Sequence, residues 1–265
     1  MTSLTSIAPA NLIDALRGDR ALRPPCDTTS APGLRAQLED GIFDILGSRH
    51  LDAPVVIRSS SLHQDARTID LGQSRTSLLR GVLVGHLVRL VAIGVPIENA
   101  FNDAVSAWRV ESGGGDLMAH LASLDDDERA RLATDVTAHA VTLTQSLGAL
   151  ARRWPARTAV RTVHRLAGGR VVLRDVVDLV IGPASRDVSS VVLLDVTTSP
   201  LGARAERVLR YHALLETLRT SVVPLRSATF STATGELWTR DVEQELLNRS
   251  VEEVLAVIDE QHVRQ

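Results

Sequence analysis

Two apolar runs that each contain an aspartate decide the fold of this chain: Val171–Ile181, with the sequence VVLRDVVDLVI, and Ser189–Thr197, with the sequence SSVVLLDVT. Runs of this length that are rich in valine and leucine are typical of strands buried on both faces of a sheet. Asp178 lies inside the first run, and Asp195 lies near the end of the second. The sequence therefore predicts two central strands, each of which carries a carboxylate into an apolar environment.

The segments on either side of these runs predict an alternation of strands and helices. A tight turn at Gly168–Gly169 joins the first run to an earlier strand. The other expected elements are a strand over Thr158–Leu166, a helix over Ala203–Arg219, a strand over Val223–Thr232 and a helix over Asp241–Ile258. We therefore expect residues 154–265 to form a β-β-β-α-β-α core.

The chain before this core is predicted to be mainly helical, because apolar residues recur there at spacings of three and four. One short strand is expected at Pro54–Ile57. Residues 1–32 contain Pro and Gly pairs and are expected to be poorly ordered or accessory. Residues 33–153 are expected to form a helical lobe. The predicted fold class is α/β, with a mixed central sheet flanked by helices and an N-terminal helical lobe.

The composition excludes several kinds of protein. The chain has 265 residues and is 44% hydrophobic, which is enough for a substantial core. A formal net charge of -3 gives no global positive field for nucleic acid, although a local basic patch is compatible with it. The single cysteine, Cys26, excludes an internal disulfide and a cysteine-rich zinc site. No run reaches the roughly 20 apolar residues that span a bilayer, so we expect a cytoplasmic protein with no membrane partner.

The chain contains no lysine, so all 29 residues counted as Lys and Arg are arginine. Drift in a GC-rich genome explains this by replacing lysine codons with arginine codons. The alternative is selection against a side-chain amine that could be modified. In either case the protein has no side-chain amine for chemistry.

The two aspartates form a candidate metal site. A carboxylate buried in an apolar strand costs several kcal/mol unless it is paired, hydrogen-bonded or bound to a metal. Two carboxylates on adjacent strands offer the hard oxygen ligands that suit Mg²⁺ or Mn²⁺. The alternative is that Asp178 and Asp195 cap loops or pair with arginine, since Arg174 and Arg204 are close in sequence.

Four motifs in order resemble the RecB-like PD-(D/E)XK nucleases. Gly169–Val180 resembles the strand with the first aspartate, and Asp195–Thr197 stands where the family has D-x-K. Arg207–Tyr211 is similar to the helix motif Q-x-x-x-Y, with arginine in place of glutamine. Upstream, Gly81–His86 is similar to G-x-x-x-H with one extra residue. The resemblance covers roughly residues 55–240 and implies a restriction-endonuclease-like core.

This resemblance implies roles for the matching residues. Asp178 and Asp195 would be the metal carboxylates, the carbonyl of Val196 would be a further ligand, and the metal would be Mg²⁺ or Mn²⁺. His86 would bind or orient the metal, and Tyr211 would contact the DNA backbone or the surroundings of the metal. For both His86 and Tyr211 the alternative is simple packing in the core. The candidate phosphate-binding arginines are Arg174, Arg204 and Arg207.

The pattern breaks at Thr197, which stands where the family keeps its catalytic lysine. A threonine hydroxyl is neutral and cannot stabilise charge on a phosphate as a cation does. The sequence therefore favours a pseudonuclease that binds DNA or a protein partner, such as a helicase or ATPase, in DNA metabolism or defence. The alternatives are an atypical, weakly active metal-dependent nuclease that uses Asp178 and Asp195, and an unrelated α/β interaction module. The best basic patches in the sequence are Arg152–Arg157 and Arg204–Arg210.

Overall fold

The computed structural model describes residues 5–7, 12–17, 23–47, 53–62, 75–112, 115–148, 155–183, 185 and 187–263. Within these residues, seven strands form one mixed sheet, and helices pack on both of its faces. The expected α/β architecture, a mixed sheet flanked by helices, is confirmed.

The described residues contain eight α-helices. Their bounds are α1 Leu12–Arg17, α2 Ser30–Leu46, α3 Arg75–Ala92, α4 Ala100–Ser112, α5 Asp116–Ser123, α6 Asp126–Leu147, α7 Ala203–Thr220 and α8 Gln244–Val263. The longest, α6, begins at a capping box in which Asp125 accepts a hydrogen bond from the backbone of Glu128 and Glu128 accepts one from the backbone of Asp125.

The strands run in the order β1-β7-β6-β5-β4-β2, with β3 also paired to β4. Their bounds are β1 Thr5–Ile7, β2 Val55–Ile57, β3 Ala156–Leu166, β4 Val171–Ile181, β5 Val192–Thr197, β6 Arg226–Ser231 and β7 Leu237–Asp241. The strands β3, β4 and β5 form an antiparallel meander, and α7 then crosses over to β6, which is parallel to β5.

Two apolar clusters fix the helices on the sheet. The helices α1 and α3 to α6 pack against β4 to β7 through residues such as Leu83, Leu143 and Phe230. The helices α2, α7 and α8 pack in a second cluster, with Leu38, Leu214 and β2 among its members. Segments from the N-terminal part of the chain thus contribute to both clusters. They also contribute to the sheet, because β1 pairs with β7 and β2 pairs with β4.

A fork in the sheet creates the space for a polar site. Leu179–Ile181 of β4 pair with Val192–Leu194 of β5, whereas Val171–Leu173 of β4 pair with β2. Because β3 pairs along the whole length of β4, β2 and β5 must share the opposite edge. Within the described chain, residues 174–178 therefore lie between two diverging strand partners on that edge.

The β3–β4 ribbon also has a kink next to the fork. Ala159 has a positive φ of 48° and lies between Thr158 and Val160, which pair with Leu179 and Val177 of β4. Before the kink, Arg157 reaches α7, with 3.7 Å between its guanidinium and Glu216. After it, the His164 ring lies 3.0 Å from a backbone carbonyl of α7. These residues have opposite parity in one strand yet contact the same helix, so the ribbon turns over at Ala159.

Candidate carboxylate site at the fork of the sheet

Asp178 and Asp195 face each other where β4 and β5 separate. They occupy the register position that follows the last pair of this ladder, Leu179 with Leu194. The backbone N–H of Val196 donates a hydrogen bond of 2.8 Å to Asp178 Oδ2 and ties the two strands together. The structure therefore brings together the two carboxylates that the sequence singled out.

Two further residues complete this cluster and were not anticipated from the sequence. His212 of α7 is buried, and its Nδ1 lies 2.6 Å from Asp195 Oδ2. Its Nε2 lies 3.4 Å from Asp175 Oδ2, an ion-pair distance. Asp175 also accepts a hydrogen bond of 2.7 Å from the backbone of Ser59. The imidazole of His212 thus lies between two carboxylates that come from different strands.

The charges in this cluster keep His212 protonated. Burial by itself lowers the pKa of His212, but the charges of Asp195 and Asp175 outweigh it and raise the pKa to about 10. For Asp175, burial acts against ionisation, yet the contact with His212 lowers its pKa to about 2. At neutral pH the site therefore contains an imidazolium held between two carboxylates.

Asp178 has a different environment from Asp175, although both residues lie on β4. Burial, and then the charge of Asp195, raise the pKa of Asp178 to about 7. The hydrogen bond from Val196 opposes this shift but does not cancel it. Part of the Asp178 residue reaches solvent, whereas Asp195 is buried. Asp178 therefore protonates more readily than Asp175.

Thr197, which stands where the resemblance implies a lysine, makes contacts that stabilise turns. Thr197 ends β5, and its hydroxyl accepts a hydrogen bond of 3.1 Å from the backbone of Ser199. Its carbonyl accepts two bonds from Thr232, 2.9 Å from the backbone N–H and 3.0 Å from the hydroxyl. The described contacts of Thr197 serve the turn after β5 and supply no cation to the carboxylates.

His86 lies on α3 and is buried there. Burial, together with the charge of Arg89, lowers the pKa of His86 to about 4, so the ring is neutral at neutral pH. Among the described residues, the acid nearest to it is Glu111, 3.8 Å from Nδ1, and Glu111 is itself paired with Arg89. Among the described contacts, none joins His86 to Asp178 or Asp195.

Tyr211 is fully buried and acts as a structural link. Its hydroxyl donates a hydrogen bond of 2.9 Å to the carbonyl of Ile57 and so connects α7 to β2. Burial also raises the pKa of this phenol. The geometry is that of the packing alternative, because a ring without exposed surface cannot contact a DNA backbone.

The candidate arginines do not converge on the carboxylates. Arg174 is exposed on β4, Arg204 is exposed near the start of α7, and Arg207 is partly buried with no hydrogen-bond partner for Nε in the described structure. Arg210 is buried and paired with Glu206 and Glu253, so the segment 204–210 is not an open basic patch. Arg152 and Arg153 of the other predicted patch lie outside the described residues.

A sequence signal for His212 exists, but it points to the core. His212 is three residues from both Leu209 and Leu215, which places the three on one face of α7. All three are buried. A buried histidine in such an apolar stripe needs a polar partner. The sequence does not identify this partner, because the contact forms only when α7 packs on the sheet.

The donor set of this cluster does not fit a divalent metal. Among the described residues, no group of three or more His, Cys, Asp or Glu side chains has an arrangement that could hold a metal ion. Asp195, one of the two expected ligands, is already paired with the positive charge of His212. The imidazole of His212 thus competes with a bound ion for Asp195.

No model of a known protein family matches this sequence, and no curated protein matches it significantly. In the described part of the chain, no helix combines the length and apolar character needed to cross a bilayer.

Proposed function

We propose that this chain is a nuclease-like protein of the RecB-like PD-(D/E)XK type that does not cleave and instead acts as a binding module in DNA metabolism or defence. The observation that carries the proposal is the position of His212, which is buried between Asp175 and Asp195. Its positive charge compensates the carboxylates from inside the protein.

The order of elements supports the nuclease-like part of the proposal. The resemblance implies strands, a helix and a further strand in this order, with one carboxylate on each of two successive strands. The strands β3, β4 and β5, followed by α7 and β6, have this order, and Asp178 and Asp195 lie at the divergence.

The electrostatics of the site support the loss of cleavage. A metal ion between Asp178 and Asp195 would lie close to the His212 imidazolium, and like charges at short range repel strongly in a buried site. In the family a lysine would supply a positive charge, but here Thr197 stands at its position and the sequence contains no lysine. The site therefore lacks both the metal-binding charge balance and the cation that stabilises a developing phosphate charge.

A cleavage assay tests this proposal. The chain and its Asp178→Asn/Asp195→Asn variant are incubated with linear, nicked and single-stranded DNA in Mg²⁺ and in Mn²⁺. We expect the same background in both proteins, because the wild-type site does not turn over. Metal-dependent cleavage that the double variant loses would contradict the proposal and support the atypical nuclease that uses Asp178 and Asp195.

A restored site tests the nuclease-like fold itself. In the Thr197→Lys/His212→Gln variant, the internal cation is removed and the family's lysine is reinstated. We expect this variant to bind Mn²⁺ in calorimetry, whereas the wild-type protein does not. A folded variant that binds no Mn²⁺ would argue against the nuclease relationship and for an unrelated α/β interaction module.

A further inference from the structure

One face of the β3–β4 ribbon is open and strongly basic. After the kink at Ala159, the ribbon turns His164 and Asp175 towards α7, so their strand neighbours point the opposite way. These neighbours form three cross-strand pairs, which are Arg161 with Val176, Val163 with Arg174 and Arg165 with Val172. We call these six residues the arginine–valine face.

The arginine–valine face is accessible and carries charge of one sign. The three arginines are exposed, and so are Val163 at 58% and Val176 at 40%. None of the six residues is acidic. Asp175 of the same ribbon lies on the other face, where it contacts Ser59 and His212. Within the described structure, the three arginines form no ion pair, in contrast to Arg210 and Arg219, which are each held by glutamates.

We propose that the arginine–valine face binds the phosphate backbone of double-stranded DNA. Three arginines without an acid match a polyanion in charge, and guanidinium groups bind phosphate well. The inference deepens the binding role proposed above and rests on that role, but it does not depend on whether the carboxylates cleave.

The shape of the face selects duplex DNA among polyanions. The major groove of B-DNA admits a two-stranded β-ribbon, whereas the major groove of duplex RNA is too narrow for side chains to enter. Arg161 and Arg165 are four residues apart on one strand, which is about 13 Å and close to the width of that groove. Arg174 lies between them on the neighbouring strand, opposite Val163.

The absence of aromatic residues from the face argues against single-stranded nucleic acid. Proteins that bind single strands stack the bases on aromatic side chains. The six residues of the arginine–valine face are arginine and valine only. A duplex, whose bases are already stacked, needs no such platform.

The salt dependence of binding tests the proposal. Fluorescence anisotropy with a short mixed-sequence DNA duplex is recorded in EDTA over a series of salt concentrations, so that cleavage cannot contribute. Three phosphate contacts predict a slope of about −2.7 in a plot of log K against log salt. Each of Arg161→Gln, Arg165→Gln and Arg174→Gln is expected to reduce the magnitude of this slope by about 1, and the triple variant is expected to lose at least tenfold in affinity.

A matched control removes the same charge elsewhere on the surface. Arg109, Arg131 and Arg249 are exposed and lie on α4, α6 and α8. The triple Gln variant at these positions is expected to keep the wild-type slope and affinity. Equal losses in the two triple variants would overturn the proposal, because the binding would then reflect total charge.

Two further outcomes would also overturn the proposal. Tighter binding of single-stranded DNA than of duplex would show that groove shape does not matter. Binding of poly-glutamate through the same three arginines, with no binding of duplex, would identify an acidic protein partner instead. If the wild-type protein neither binds duplex DNA nor cleaves it, this inference is refuted but the proposed inactivity is not. If the wild-type protein cleaves DNA, the proposed inactivity is refuted.

Discussion

The two faces of the β3–β4 ribbon differ in whether their charged side chains have partners in the described structure. On the face towards α7, Asp175 is paired with His212, which also holds Asp195 of the neighbouring strand. On the other face, Arg161 and Arg165 are exposed and have no acidic partner in the described structure. The acids that resemble a catalytic motif are compensated internally, whereas the exposed arginines of the ribbon are left for an external partner.

This difference separates a buried, internally compensated cluster from an exposed basic surface. A buried charge is retained only when a partner or a ligand compensates it, and here His212 is that partner. An exposed basic face costs the protein little, and it attracts anions from solution. The binding surface is therefore expected on the side of the ribbon away from the carboxylates.

The largest expected effect is on stability, from the removal of His212. In His212→Ala, the carboxylates of Asp175 and Asp195 lose their positive partner in a buried place. Breaking a buried ion pair by removing one partner typically costs about 3–5 kcal/mol, and we expect a loss in this range. Chemical denaturation at neutral pH measures it.

The control for this substitution removes both charges of the tighter pair. Asp195→Asn/His212→Gln replaces the ions with neutral groups that can still form hydrogen bonds, so its loss is expected to be smaller than that of His212→Ala. An equal or larger loss in the double variant would show that the charges of Asp195 and His212 do not compensate each other.

The next effect is a dependence of stability on alkaline pH. The pKa of His212 is raised from 6.5 to about 10 in the folded protein, with Asp175, Asp178 and Asp195 as the acids that face it. Stabilisation from such a group is fully present below its unfolded pKa and is lost as the pH rises through its folded pKa. We expect the free energy of unfolding to fall by on the order of 4 kcal/mol between about pH 6.5 and about pH 10.

The reference for this pH series is His212→Gln, which has no group that titrates at this position. The difference in unfolding free energy between wild type and variant is expected to shrink steadily above about pH 6.5. A difference that stays constant up to about pH 10 would mean that His212 is not protonated by the fold.

A smaller effect is expected at the kink that separates the two faces. Ala159 has a φ of 48°, a conformation that β-branched side chains strongly disfavour. Ala159→Val is expected to lower the unfolding free energy by about 1–3 kcal/mol. Ala159→Gly is expected to be at least as stable as the wild type, because glycine adopts this φ without strain. Equal stability of the two variants in thermal melts would argue against the kink.

The smallest effect tests which face each arginine occupies. Arg157 lies 3.7 Å from the buried Glu216, whereas Arg161, four residues later, has no described acidic partner. A double-mutant cycle is expected to give a coupling of about 0.5 kcal/mol between Arg157→Gln and Glu216→Gln. The cycle with Arg161→Gln is expected to give none. Comparable coupling in both cycles would mean that the strand does not turn over at Ala159.

Much of the sheet was predictable because its central strands are long apolar runs. The antiparallel meander places adjacent runs side by side, and the aspartates at positions 178 and 195 then meet by register alone. The helix over Ala203–Arg219 was also predicted closely, since α7 spans Ala203–Thr220. These features depend on local pattern and on neighbours in sequence.

The rest depends on tertiary docking and on backbone detail. The contact of His212 with Asp175 and Asp195 arises only when the crossover helix lies on the sheet. The kink has no sequence signature, because alanine rarely adopts a positive φ. Simple alternation from Arg157 would place Arg161 on the face towards α7, so the sequence alone does not predict that Arg161 lies on the other face.

The protonation state of His212 tests the central claim most directly. The ¹⁵N NMR signals of its imidazole, assigned by their loss in His212→Gln, are followed from about pH 6 to about pH 9 with and without Mg²⁺. The proposed internal cation predicts imidazolium signals that persist above about pH 8 and do not change with Mg²⁺. A ring that is neutral at pH 7, or that shifts when Mg²⁺ is added, would contradict the claim and restore the carboxylates as an open metal site.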